Sequence, residues 1–344
     1  MKLTYRPYQL KLKHPFKLAY GTRTATDIVL VELEHEGHTG CGEASLPPYL
    51  GESIKTVTTF FNKIDTSQLD PLRFRETVQY LGALDSDNNA AKAAVDIALH
   101  DLLGKMEDRS LADLMSIPAS RPTPSSFTIG MSTRTELESK LKDASDYPII
   151  KLKLGGDDDK ELVKTYLEQS TKPYYVDINQ GWKDGQYALD MAAWLAENEC
   201  LFIEQPMPAG MIDETSLLTQ GSSLPIIADE SVKRLGDLAA LKGVFNGVNI
   251  KLMKSTGIFE AIGMIEEARK MEFQVLIGCM AESSCAVTAA SNLAPLADWA
   301  DLDGPALITN DPFSGVRMEN GNMILPSGPG LGIEKVSFQR EDSH

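Results

Sequence analysis

Two lysine positions and three carboxylates in this chain have the types and spacing that proton transfer at carbon requires. Lys151-Leu152-Lys153 falls in the apolar run PIIKLKLG, and Lys251 in GVNIKLMK. Asp177 follows YYV, Glu204 follows CLFI and Asp229 follows PIIA. Glu204 comes 27 residues after Asp177, and Asp229 comes 25 after Glu204. Each step is about one strand-plus-helix unit, so the three would stand at equivalent heights on adjacent strands. Converging carboxylates raise one another's pKa unless a cation neutralises them. A hard, oxygen-seeking ion such as Mg²⁺, one per site, fits an all-carboxylate shell with positions left open for substrate.

Residues i and i+2 of a strand point the same way, so Lys151 and Lys153 should both enter the site. Like charge is then expected to lower the pKa of each from ~10.4, toward the range where a lysine works as a general base. Lys251, four runs further along, would face Lys153 across the site. Two bases on opposite faces are what inverting a stereocentre requires. The histidines, His14, His35, His38, His100 and His344, all fall outside these runs. That argues against a His-ligated zinc or a Ser-His-Asp triad at this place. No phosphate-cradling glycine loop is present; GPGLG in the tail lacks the strand-before, helix-after context.

The elements that must position these residues can be read from periodicity. Eight short apolar runs, from SFTIGM through QVLIGCM to DWADLDG, alternate with helical patterns such as KELVKTYLEQS and IFEAIGMIEEARKM. This texture predicts an α/β fold, a (β/α)8 TIM-type barrel over residues 121–315, with its active site at the C-terminal ends of the strands. Strands two and six of such a barrel are opposed, which places Lys153 opposite Lys251. Residues 1–120 read as an α+β capping domain. LKLKHPFKL and DIVLVELEHEG alternate at period two, and NNAAKAAVDIALHDLLGK has the spacing of a buried helix. The tail, 316–344, cannot extend the barrel and is expected to pack back on the capping domain.

The net charge of −16 argues against non-specific binding to nucleic acid or an anionic membrane. No run reaches the ~18 apolar residues a membrane span needs. The four cysteines form no CxxC, and the N-terminus lacks a signal-peptide core. Together these give the expectation of a cytoplasmic protein with reduced thiols.

KLKLG, DINQGW, FIEQP, ADES and NIKLMK, in this order, resemble the enolase superfamily, in its branch of muconate lactonising enzymes, o-succinylbenzoate synthases and dipeptide epimerases. The resemblance runs over nearly the whole chain. It implies that Asp177, Glu204 and Asp229 ligate Mg²⁺ and that Lys153 and Lys251 are the acid/base catalysts. It also implies that Lys151 helps hold the substrate carboxylate. Superfamily members use Lys or His bases with Mg²⁺ to stabilise an enediolate. Asp301 and Asp303 in DWADLDG resemble the dipeptide epimerases' grip on a substrate amino terminus, and two carboxylates there suit an ammonium. Thr128, Cys279 and Met280 are weaker contact candidates. Gly21-Thr22-Arg23 and Pro47–Gly51 fall where the branch has its capping loops. Arg23 could meet an acidic substrate side chain, whereas the soft, apolar Cys279 and Met280 do not require one.

The leading expectation is an isomerase that inverts the C-terminal residue of alanine-containing dipeptides, such as those released from peptidoglycan. Its partner would be a small dipeptide, with no nucleic acid or membrane, and assembly into a homo-oligomer is left open. A muconate cycloisomerase or o-succinylbenzoate synthase-type lyase is the alternative within the branch. A non-catalytic barrel that binds a small acid is the alternative outside it.

Overall fold

The computed structural model describes residues 1–18, 21–118, 123–156 and 158–336. It opens with an antiparallel meander of β1 (Lys2–Leu18), β2 (Gly21–His35) and β3 (His38–Ser45). Glu36 and Gly37 close the β2–β3 hairpin, both at positive φ (49° and 82°), as a tight two-residue turn demands. Three helices follow: α1 (Ile54–Phe61), α2 (Phe74–Leu84) and α3 (Asn89–Glu107), with a short α4 (Leu111–Leu114). The alanine-rich α3 is buried along most of its length. It lies so close to β3 that a Cβ on Gly42 would sit 1.9 Å from the Ala94 carbonyl oxygen, so only glycine allows the approach.

From residue 126 strands and helices alternate. They are β4 (Ser126–Ile129), α5 (Arg134–Asp143), β5 (Ile149–Lys153), α6 (Asp159–Gln169), β6 (Tyr174–Asp177), α7 (Gly185–Glu197), β7 (Ile203–Glu204) and α8 (Ile212–Gly221). Then come β8 (Ile226–Ala228), α9 (Leu238–Leu241), β9 (Gly247–Lys251), α10 (Ile258–Lys270), β10 (Gln274–Gly278), α11 (Ser284–Ser291) and β11 (Trp299–Asp301). The eight strands pair in parallel, in chain order, as the eight apolar runs predict. Among the described residues no backbone ladder joins β11 to β4. Side chains close that seam: Leu302 N donates to Ser125 Oγ (2.8 Å), Ser126 Oγ to Asp301 Oδ1 (2.8 Å) and Thr128 N to Asp303 Oδ2 (2.6 Å). Tyr175, Phe202, Ile227 and Leu276 fill the barrel below the site, and the Tyr175 and Phe202 rings stack at 4.1 Å.

The tail forms β12 (Phe313–Ser314), the hairpin β13 (Arg317–Glu319) and β14 (Asn322–Ile324), and β15 (Glu334–Lys335). The hairpin rests beside the barrel, where Met323 N donates to the Thr123 carbonyl (2.9 Å). Beyond it the chain returns to the first unit. Leu331 N donates to Asp101 Oδ1 on α3 (2.8 Å), and Lys335 pairs with Glu32 on β2 (2.8 Å). The four cysteines are buried and unpaired by disulfide. Among the described residues no helix is long and apolar enough to cross a membrane. His344 and the rest of 337–344 lie outside the described residues.

Candidate active site

The polar residues at the C-terminal strand ends meet in one cleft. Asp177 ends β6 and pairs in register with Lys153 on β5 and Glu204 on β7. Asp229 stands one residue past β8, and Lys251 ends β9. One oxygen from each of Asp177, Glu204 and Asp229 lies within 4.8 Å of the others, and all three side chains are buried. β5 and β9 have three strands between them either way round the barrel. Lys153 Nζ reaches Asp177 Oδ2 at 2.5 Å, and Lys251 Nζ reaches Asp229 Oδ2 at 2.7 Å. The two lysines thus flank the acidic cluster from opposite sides.

Asp301 ends β11, and Asp303 follows just beyond the strand rather than on it. Both line the cleft with Lys151, Lys153, Lys251, Thr128, Cys279 and Met280. Arg23 and Tyr49 line it from the meander and the loop after β3, and Tyr49 Oη donates to Met280 Sδ at 2.7 Å. All sequence-predicted contact residues therefore border the cleft or its acidic floor.

The expected lowering of the Lys151 pKa is not what the structure shows. Burial would pull it down, but Asp177, Asp301 and Glu204 outweigh that and hold it well above its ordinary value. Its Nζ lies 2.7–3.0 Å from all three. Sequence periodicity brought the two lysines together but did not show how many carboxylates would surround the inner one. Lys251 is held high in the same way, Asp229 outweighing burial.

Asp229 and Asp177 are held low although burial opposes it, Asp229 by Lys251 and Lys254 and Asp177 by Lys151 and Lys153. Glu204 goes the other way. Burial, with Asp177 beside it, pushes Glu204 up to about 7. Its Oε2 lies 2.8 Å from Lys151 Nζ but out of alignment with it, and no hydrogen bond reaches that buried atom. A buried acceptor of this kind, in a cluster of three convergent carboxylates, fits a small divalent cation.

Periodicity missed four supporting residues. Lys254, 1% exposed, donates to Asp229 Oδ1 (2.6 Å), the Asp229 carbonyl (2.7 Å) and the Asn249 carbonyl (2.9 Å). It lies beyond strand β9, where a turn on the Lys251 carbonyl folds it back; the strand pattern carries no sign of that turn. Asn249 Nδ2 donates to Glu204 Oε1 (2.7 Å), and its position two residues before Lys251 could have flagged it. Glu230 accepts from Asn179 Nδ2 (3.2 Å) and is pushed up to about 7 by burial and Asp229. Ser126 Oγ sits between Tyr175 Oη (2.9 Å) and Asp301 (2.8 Å), supporting that carboxylate from below.

Residues 2–116 match the family model described as mandelate racemase / muconate lactonizing enzyme, N-terminal domain, and residues 134–336 the one described as enolase C-terminal domain-like. An L-Ala-D/L-Glu epimerase of Bacteroides thetaiotaomicron is 48% identical over 338 residues, 98% of this chain and 88% of that protein. This chain belongs to the dipeptide epimerases of the mandelate racemase / muconate lactonizing enzyme family. Another dipeptide epimerase, the L-Ala-D/L-amino acid epimerase of Pedosphaera parvula, is 34% identical over 96% of this chain and 97% of its own. The dipeptide epimerase of Cytophaga hutchinsonii, solved in complex with Mg and D-Ala-L-Val, matches with a TM-score of 0.89. It is 26% identical and covers 99% of this chain and 96% of that one. The resemblance drawn from KLKLG, DINQGW, FIEQP, ADES and NIKLMK is borne out, and the family places the chain among isomerases.

Proposed function

We propose that this chain is a Mg²⁺-dependent dipeptide epimerase that inverts the C-terminal residue of alanine-containing dipeptides, Ala-Ala or Ala-Glu among them. The observation that carries the reading is the placement of Lys153 and Lys251 on opposed strands, flanking one carboxylate triad, with Asp301 and Asp303 on a third side of the cleft. Asp177, Glu204 and Asp229 would hold the cation. When bound, it offsets the second negative charge that arises as the α-proton leaves, and it weakens the hold of Asp229 on the Lys251 proton.

The chain's own residues do the rest. One lysine removes the α-proton from one face of the substrate carbon, and the other returns a proton to the opposite face. Lys151 neutralises the inner carboxylates and ties them to Asp301. Asp303 is pushed up to about 7 by burial and by Asp301. It accepts Thr128 N and faces the cleft, so an arriving ammonium relieves that repulsion. A lyase substrate of the same branch has no cation to offer this pair. Arg23, on the cleft wall, suits an acidic second residue, as in the substrate named for the Bacteroides relative.

The test is incubation with Mg²⁺ and a panel of alanyl dipeptides in D₂O, following the C-terminal Cα–H by NMR. Exchange accompanied by epimerisation is the expected result. No exchange from any member of the panel defeats the reading.

A further inference from the structure

Helix α10 begins directly after the turn that carries Lys251 and Lys254, and no side chain of its own caps it. Its N-cap is Gly257, at φ 114°. The missing acceptor comes from the first unit of the chain. Asp96, midway along α3 and 1% exposed, places Oδ2 2.5 Å from Ile258 N and 3.3 Å from Phe259 N. A carboxylate over the free N–H groups of a first turn is the usual way a helix is anchored, here delivered from 162 residues away. A Cβ on Gly257 would come within 2.3 Å of Asp96 Oδ2, so the close approach needs glycine at that position.

Two further contacts brace the joint. Arg234 grips Glu260 on α10 through Nε–Oε1 (2.7 Å) and Nη2–Oε2 (2.6 Å), while Nη1 meets Asn89 Oδ1 on α3 at 3.4 Å. The Phe74 ring stacks on His100 of α3 (3.9 Å) and on Phe259 of α10 (6.4 Å).

The clamped turn is short and held by three backbone hydrogen bonds. Lys254 N and Ser255 N donate to the Lys251 carbonyl (2.9 and 3.0 Å), and Gly257 N donates to that of Leu252 (3.0 Å). A shift of the first turn of α10 is therefore passed to Lys251 with little slack. Lys153, on β5, is not part of this turn, and its Nζ rests on Asp177. Proton transfer is sensitive to displacements well under 1 Å, so this difference is chemically relevant.

We infer that Asp96 is a positioning residue for Lys251: from α3 it sets, through the first turn of α10, where one of the two bases stands. The inference rests on the two-base reading above.

Exchange of the α-proton in D₂O, followed separately for each epimer of one alanyl dipeptide, reads the two lysines one at a time. Lys251→Ala first identifies the epimer that Lys251 serves. Asp96→Ala should slow exchange from that epimer roughly tenfold and leave the other within about twofold. Asp96→Asn keeps an oxygen for Ile258 N and should recover most of the loss. Gly257→Ala pushes on the same joint from the barrel side and should reproduce the asymmetry with Asp96 in place; it is the deciding variant if Asp96→Ala does not fold. Equal slowing of both epimers overturns the inference, because that is what a general loss of structure produces. If wild-type enzyme exchanges neither epimer, the epimerase reading fails instead.

Discussion

Lys151 and Asp301 form a buried ion pair, Nζ to Oδ2 2.7 Å, and the same ammonium lies 2.8 Å from Glu204 and 3.0 Å from Asp177. One cation thus links the acidic cluster to the carboxylates that face the cleft. Breaking such a pair strands buried negative charge, at a cost of about 3–5 kcal/mol. Lys151→Met should accordingly lower the Tm measured without divalent ions. Added Mg²⁺ should narrow the gap to wild type, because it binds the folded state and neutralises two of the stranded groups. A gap unchanged by Mg²⁺ would mean that Lys151 is not balancing the cluster.

Asp303 offers a cleaner probe of the proposed amino-terminus site than Asp301, which is already committed to Lys151 and Ser126. Asp303→Asn should reduce kcat/KM for alanyl dipeptides by roughly 10–100-fold, the worth of one charge-assisted hydrogen bond. Metal affinity, read by calorimetry, should stay within about twofold of wild type. Parallel loss of both would place Asp303 in the metal site.

The two lysines make separable predictions. Lys153→Ala and Lys251→Ala should each lower epimerisation by about 10²–10⁴-fold, typical of losing a general acid/base. Each variant should still exchange the α-proton of one epimer, and the epimers should differ between the two variants. Epimerisation near the wild-type rate in either variant would exclude the two-base route.

Arg23, on the cleft wall, tests the proposed selection of the second residue of the dipeptide. Arg23→Met should lower kcat/KM for Ala-Glu by about tenfold or more while leaving Ala-Ala near wild type. Equal effects on the two substrates would assign Arg23 to the wall of the cleft rather than to selection.

Glu43 joins β3 to the loop that carries Cys279 and Met280. It accepts Ser283 N at 2.9 Å and also bonds Ser283 Oγ. Burial, with Glu282 nearby, pushes its pKa up to about 8 from 4.5. Raised in the folded state, the group holds its proton where the unfolded chain has released it. Its contribution to stability is therefore intact below about pH 4.5 and is lost progressively as pH climbs toward about 8. Glu43→Gln should flatten this part of the Tm–pH profile, with the variant gaining on wild type most clearly above pH 8. Parallel profiles for the two proteins would show that Glu43 stays ionised.

Much of this arrangement was legible in the chain. The eight apolar runs became β4–β11, because a strand buried on both faces is apolar over most of its length and charge gathers toward the end that opens on the site. The polar residue after each run therefore marks the site, which is why Asp177, Glu204, Asp229 and Lys251 could be named from spacing alone. Lys151 lines the cleft, but its pKa moves up where a fall was expected: the i, i+2 rule sees Lys153 and is blind to carboxylates that arrive from β6, β7 and β11.

By itself, then, the sequence determined the barrel, the order of its strands and the residues at their ends, since these follow from local periodicity. Tertiary structure alone decided how those residues are partnered. Lys254 turns back onto Asp229, Asp303 serves the β4–β11 seam as well as the cleft, and Asp96 reaches across to α10. The first depends on a turn beyond β9 that doubles back toward the end of β8, the second on barrel closure and the third on α3 docking against the barrel. No local pattern encodes such a meeting, because the energy that fixes it comes from burying charge among partners brought together only in the folded chain.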